Sequence, residues 1–196
     1  MAFIEVVSDG DASGAVQELF DDERASRGYV PNYLRLLGHR PEVYEAWGEL
    51  VGSIRANMDP RRYELATIAA ARRLRSSYCM LAHGKVLMDG FVESGTMRAI
   101  AVDHHSAGLD EIDVAVMDFA DKVVTDAASV TQGDVDRLRG LGLTDLEVLD
   151  VALAASARCF FSKAIDALGM EADAAYAELE PTVREALTVG RPIDSG

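Results

Sequence analysis

The residues best suited to chemistry lie in one stretch, Glu64-Leu-Ala-Thr-Ile-Ala-Ala-Ala-Arg-Arg-Leu-Arg-Ser76-Ser-Tyr-Cys79-Met-Leu-Ala-His83. Cys79 and His83 are spaced to sit one turn apart on the same face of a helix. Ser76 and Ser77 suit the end of one helix and the start of the next, which puts Cys79 in a first helical turn. Backbone N–H groups and the helix dipole favour a thiolate there. The His83 imidazole can take the thiol proton or hydrogen-bond the anion. Glu64 is on the preceding helix and reaches the pair only if the two helices form a hairpin. It then orients His83 or accepts its proton as the third member of a relay. The bland reading is open on the same residues. A Cys and a His at this spacing occur in many helices without function, and a single Glu is most often a solvated helix charge. Glu64 is too far inside its helix to be a capping-box residue.

The elements that must position these residues read as helices from end to end. Expected helices are 11–26, 31–38, 41–56, 60–75, 77–89, 94–104, 110–127, 131–139 and 144–168, with a short last one over 171–188. Apolar residues recur at three-then-four spacing at Val43, Trp47, Leu50, Val51 and Ile54. They recur again at Ile112, Val116, Phe119 and Val123, and in a longer stripe of Leu146, Leu149, Leu153, Ala157, Phe160, Ala164 and Leu168. Trp47 and Phe160 are expected in the core. Asp59-Pro60 is an N-cap followed by proline at the first helical position, and Pro41 starts a helix in the same way. Thr144 with Glu147, and Thr131 with Asp134, have capping-box spacing. Gly90, Gly140 and Gly169 mark helix ends. No sustained two-residue alternation is present. The chain is therefore expected to be one all-α domain over 1–196, with a frayed tail at 191–196.

Composition narrows the function. The 196 residues include 19 Lys and Arg against 33 Asp and Glu, a net charge of −14. With no basic run to offset this, nucleic acid is excluded as a partner. No apolar run approaches the roughly 18 residues of a membrane span, and MAFIEVVSDG has no signal-peptide pattern. A cytoplasmic location without membrane contact is expected. Two cysteines, Cys79 and Cys159, do not make a secreted disulfide framework. A weak echo relates Glu64 and Ser76 to Glu147 and Cys159, with Arg75 against Arg158, and suggests a duplicated helical hairpin. In Asp103-His104-His105, adjacent helical side chains diverge by about 100°. The two rings are therefore read as complementing a helix C-terminus and not as metal ligands. His39 is read as a loop or cap residue. Arg72, Arg73 and Arg75 favour an anion or pair with acids. There is no Gly-rich phosphate loop, Gly-x-Ser-x-Gly, Cys-x-x-Cys or His-Glu-x-x-His.

The pattern Glu64, Ser76-Ser-Tyr-Cys79 and His83 resembles the signature of the alkylhydroperoxidase D-like, carboxymuconolactone decarboxylase superfamily, in which a Cys-x-x-Cys occupies the central positions. Val30-Pro-Asn-Tyr-Leu-Arg-Leu-Leu, the Trp47 helix, Asp103-His-His-Ser-Ala-Gly-Leu and Ala155 to Leu168 look like the peroxidase-related branch. The resemblance covers about residues 29–170. It implies an AhpD-like helical bundle around a hairpin carrying Glu64, Cys79 and His83, and a homo-oligomer, often a trimer or hexamer. It also implies a peroxidase in which Cys79 attacks a small hydroperoxide. The family's first cysteine is Ser76 here, and a serine cannot form the resolving disulfide. A one-cysteine cycle with an external thiol reductant and no cofactor is the resulting expectation, with Ser76 hydrogen-bonding the sulfur and Tyr78 lining the pocket or packing between helices. Cys159 replaces the lost sulfur only if its Cα comes within about 7 Å of that of Cys79; a buried core cysteine is the expected reading. Two alternatives stay open: a decarboxylase-like acid–base enzyme on a small organic acid, or a non-catalytic small-molecule-binding module.

Overall fold

The computed structural model describes residues 2–194. Among the described residues ten α-helices follow one another: α1 (Ala15–Arg27), α2 (Asn32–Leu37), α3 (Pro41–Arg55), α4 (Pro60–Leu74), α5 (Ser77–Gly90), α6 (Ser94–Asp103), α7 (Glu111–Asp126), α8 (Gln132–Gly140), α9 (Asp145–Ala167) and α10 (Pro181–Leu187). Among the described residues the only β-type pairing is an isolated bridge between Ala172 and Ile193. The fold is all-α, as expected.

Helix α4 is the axis of the bundle. It is buried continuously from Tyr63 to Ala71 and packs against α5, α7 and α9. Four of its buried residues are alanines, at 66, 69, 70 and 71, so neighbouring backbones approach closely without leaving voids. Asp59 starts the helix by accepting the Arg62 backbone N–H at 2.9 Å, with Pro60 next to it. The helix ends where Arg75 turns left-handed, φ 58°, and the Ser76 N–H returns to the Ala71 carbonyl at 3.0 Å. This tight turn folds α5 back on α4, so the hairpin the chemistry requires is present.

The C-terminal segment holds that turn in place. The Gly190 N–H donates to Ser77 Oγ at 2.8 Å, and Arg75 Nε donates to the Val189 carbonyl at 3.3 Å. A Cβ on Gly190 would stand 2.0 Å from the Arg75 carbonyl oxygen. That backbone cannot yield without opening the turn. Gly190→Ala is therefore expected to cost about 1–3 kcal/mol, as overpacking does, seen as a lowered melting temperature. An unchanged Tm would show that the segment does not press on the turn.

Several expectations are corrected. The tail was expected to fray from Arg191, but the Asp194 N–H bonds the Ala172 carbonyl at 2.8 Å; residues 195–196 lie outside the described part. The last helix is broken: a 3-10 turn at Ala174–Glu178 precedes α10, which starts only at Pro181, because the residue before a proline is pushed to extended backbone. Helix α1 starts at Ala15 rather than 11, after Gly14 at φ 53°. The long stripe of α9 faces largely outward: Leu146, Leu149, Leu153 and Phe160 are exposed, as is Leu50 of α3. The buried face is Val148, Val151, Ala154, Ala155, Phe161 and Ile165, interrupted by Asp150, Arg158 and Ser162. Helix α9 is apolar nearly all round, so periodicity could not select its core face. Cys159 is half-buried and free rather than a core residue. The hairpin echo is not realised either, because α9 is one continuous helix and Glu147 is its capping-box residue.

Candidate functional site

Cys79 lies in the first turn of α5, 2% exposed, in the wall of a cavity of about 430 Å³. Glu64, Tyr78 and His83 line the same cavity. The hairpin therefore brings together the three residues singled out by spacing, with Tyr78 beside them. Glu64 Oε2 is 2.6 Å from His83 Nδ1, and Glu64 is buried. Burial, and next to it the Arg158 charge, push the His83 pKa below its usual value, while Glu64 pulls the other way. A neutral imidazole whose Nδ1–H donates to the Glu64 carboxylate leaves Nε2 with a lone pair. The pair can thus take up a proton at Nε2.

The sulfur's hydrogen-bond partners come from elsewhere. Ser162 Oγ donates to Cys79 Sγ at 3.2 Å and Arg158 Nη1 at 3.5 Å, both from the buried face of α9. Arg158 is 5% exposed, and among the described residues no carboxylate lies within ion-pair distance of it. Its guanidinium lies near the Trp47 and Phe161 rings, 5.8 and 5.6 Å from their centroids. Burial works against its charge; the Cys79 sulfur and the Tyr63 hydroxyl work for it and prevail, so its pKa is raised. The guanidinium is therefore placed to donate a charged hydrogen bond to Cys79 Sγ, the atom it faces. Sequence reasoning placed this task on His83 and the α5 backbone, and missed Arg158 and Ser162. The available signal was two polar residues one turn apart on a face otherwise built of Ala154, Ala155, Phe161 and Ile165.

Ser76 takes another position than expected, and Tyr78, which lines the cavity, also makes a contact that spacing did not indicate. Ser76 is fully buried, and its hydroxyl makes no well-formed hydrogen bond; Ser162 holds the place by the sulfur that was expected of it. Tyr78 turns its hydroxyl to Asp173 Oδ1 at 2.6 Å. Asp173 also accepts the Asn32 N–H at 2.7 Å and the Tyr29 hydroxyl at 3.3 Å. Burial raises the Asp173 pKa despite these donors. Tyr78→Phe removes one donor from the carboxylate and is expected to cost about 1–3 kcal/mol at neutral pH. The loss should shrink as pH falls through the raised Asp173 pKa, and the reaction of Cys79 should survive. Equal losses in urea melts at pH 7 and pH 4 would refute this account.

The other candidates resolve as follows. His104 and His105 sit in a 3-10 turn and not in an α-helix. Their rings do not diverge as expected but lie 4.1 Å apart at 32°. Both present Nε2 to one oxygen of Asp118, at 2.9 and 2.8 Å, and His105 also meets Asp103 at 3.1 Å. The rings thus converge on one point, and ligand atoms of Asp103, His104 and His105 lie within 4.8 Å of one another, but the Asp118 oxygen already occupies the shared point. Arg137, 2.9 Å from the other Asp118 oxygen, makes the place still less suited to a cation. Arg73 pairs with Asp121, and Arg72 donates to the Val102 carbonyl at 2.8 Å. His39 meets the Glu5 carbonyl at 2.9 Å. No described helix is long and apolar enough to cross a membrane.

No protein-family model and no curated protein matches the chain. Solved structures do, and the fold they define is that of the alkylhydroperoxidase AhpD core. A peroxidase-related protein from Ralstonia eutropha JMP134, described as an alkylhydroperoxidase AhpD core, superposes with a TM-score of 0.82 at 21% identity, over 89% of this chain and 94% of that one. A peroxidase-related protein from Silicibacter sp. TM1040 gives 0.77 at 20% identity, over 90% and 91%. The debrominase Bmp8, as a cysteine-to-alanine variant in complex with 2,3,4-tribromopyrrole, gives 0.75 at 18% identity, over 93% and 96%.

Proposed function

We propose that the protein is a thiol-dependent oxidoreductase of the alkylhydroperoxidase-like kind, working through the single sulfur of Cys79. The observation that carries this reading is the Arg158 guanidinium, buried without a carboxylate and donating to Cys79 Sγ at 3.5 Å. His83 Nε2 takes the thiol proton, relayed through the cavity, and Glu64 holds the imidazolium. The thiolate attacks the distal oxygen of a hydroperoxide. The O–O bond breaks, the sulfur becomes a sulfenic acid, and the alkoxide leaves with the proton His83 returns. One external thiol then forms a mixed disulfide with Cys79 and releases water. A second reduces that disulfide, which restores Cys79 and forms the external disulfide. The external reductant is needed because Ser76 holds the position of a resolving cysteine and Cys159 makes no bond to Cys79. The names of the neighbours from Ralstonia and Silicibacter support the same reading.

The test is mass spectrometry of Cys79 and Cys159 after one equivalent of hydroperoxide with a sulfenic-acid trap, then with a small dithiol. A trapped adduct at Cys79 that dithiol prevents is expected. No adduct there, or turnover of a small organic acid that survives Cys79→Ser and is lost in His83→Ala, would replace the peroxidase with acid–base chemistry of the decarboxylase kind.

A second reading is favoured by the aromatic wall of the cavity. Tyr33, Tyr44, Trp47, Tyr63 and Phe161 suit a flat ring, as in the pyrrole bound by the debrominase Bmp8. The same sulfur would then take bromine from the ring as a sulfenyl bromide while the ring carbon gains a proton. One external thiol would displace bromide to form a mixed disulfide and a second would reduce it. Bromide release from tribromopyrrole therefore measures it, and no bromide above the Cys79→Ser background rejects it. The outward apolar residues of α9 also support a homo-oligomer. A single-chain mass in light scattering at micromolar concentration would dismiss that assembly.

A further inference from the structure

The Cys79 cavity has more positive charge in its wall than the proposed reaction uses. Four cations line it: Arg27, Arg55, Lys85 and Arg158. Two have local partners, Arg27 with Glu23 at 2.5 Å and Lys85 with Asp89 at 2.7 Å. The other two have no carboxylate within ion-pair distance among the described residues. Arg55, at the exposed end of α3, lies over the Tyr63 ring at 5.2 Å. Arg158 uses Nη1 on Cys79, but its Nε is buried and has no hydrogen-bond partner. A buried guanidinium N–H without an acceptor costs about as much as a lost charged hydrogen bond, and this unmet donor belongs to a side chain that lines the cavity. Both guanidinia line the same cavity as His83. In a protein of net charge −14, cations left unpaired inside a cavity point to an anionic ligand.

The rest of the wall sets the shape of that ligand. Tyr33, Tyr44, Trp47, Tyr63 and Phe161 surround a volume of about 430 Å³, in the range of small-molecule sites. Rings of this number favour a planar π-system over an aliphatic chain. We infer that the substrate is an aromatic acid: a one- or two-ring arene against the tyrosines and Trp47, with its carboxylate held by Arg55 and Arg158 Nε. The inference rests on the Cys79 cavity being the substrate site, but not on which bond the sulfur breaks. A carboxylate placed here accepts the orphan N–H and leaves Nη1 on the sulfur. It also sets the reacting substituent at a fixed depth.

The test is calorimetric titration of the full chain with 2-naphthoate, the neutral 2-naphthalenemethanol and the non-aromatic cyclohexanecarboxylate, none of which carries a peroxide or a halogen. The naphthoate is expected to bind about tenfold tighter than either of the others, the worth of one charged hydrogen bond. It should also slow alkylation of Cys79 by iodoacetamide. Arg55→Gln, at an exposed helix end where folding is not at risk, should weaken naphthoate about tenfold and leave the neutral alcohol unchanged. Equal binding of acid and alcohol, equal binding of the cyclohexane acid, or naphthoate that binds without protecting Cys79 would each overturn the inference, as would no detectable heat at millimolar ligand. A sulfenic acid at Cys79 without naphthoate binding would leave the thiol chemistry standing and remove only the aromatic acid. Naphthoate binding without a sulfenic acid would do the reverse.

Discussion

Arg158→Met is expected to slow the reaction of Cys79 with hydroperoxide by about a hundred- to a thousandfold at neutral pH while leaving the fold about as stable as before. Removing one preorganised donor aimed at a reacting atom costs about 10²–10³ in rate, and Arg158 Nη1 donates to the sulfur at 3.5 Å. Stability should hold. Burial of the guanidinium carries a desolvation cost that its interactions with Cys79 and Tyr63 offset, so losing both together changes stability little. Methionine fills much of the same volume between Trp47 and Phe161 and removes that cost. Stopped-flow peroxide kinetics and a thermal melt on the same variant measure both halves. A slower reaction accompanied by a large loss of Tm would make Arg158 a structural residue. An unchanged rate would remove it from the chemistry. Ser162→Ala, which deletes the neutral donor at 3.2 Å, should give a smaller effect of the same sign, because charged donors are about twice as strong.

The second large effect concerns Glu64 and His83. Glu64→Gln keeps an oxygen for the Nδ1–H but removes the negative charge that would stabilise an imidazolium. Turnover is expected to fall by about 10²–10⁴, the worth of a positioned acid–base group, with little change in fold. His83→Ala should lose as much activity and also about 3–5 kcal/mol of stability, because Glu64 is then left buried and unpaired. The pH profile separates this pair from a merely structural one. Burial depresses the His83 pKa in the folded protein below its ordinary value of 6.5. The folded state therefore binds fewer protons than the unfolded state between those two values. Its contribution to stability is complete above about 6.5 and is lost as pH falls through the depressed value. Activity should have an acid limb at that lower pH, where Nε2 becomes protonated, and Glu64→Gln should move the limb lower still by removing the charge that favours the imidazolium. A limb that stays put in Glu64→Gln would mean that the carboxylate does not act through the imidazole.

Helix starts with local chemistry were correct because they depend on residues within one turn: Asp59 before Pro60, Thr131 with Asp134 and Thr144 with Glu147 all cap as expected. The hairpin pairing of Glu64 with His83 follows from two helices joined by a turn too short to let them separate. The sequence by itself thus determined an all-helical bundle and the placing of Cys79 and His83 on one helical face, since each rests on short-range spacing. Bringing Glu64 to them needed the hairpin that the family resemblance implied. Tertiary structure decided which face of α9 is buried, that Arg158 and Ser162 and not His83 hold the sulfur, that Tyr78 serves Asp173, and that the chain after Gly169 folds back to fasten the α4–α5 turn. Each of these is a contact between residues far apart in the chain. Helix α9 shows the physical reason: it is apolar on nearly every side, so no local preference selects its orientation. The choice comes from fitting its small residues against α4 and its guanidinium against a thiol contributed by α5.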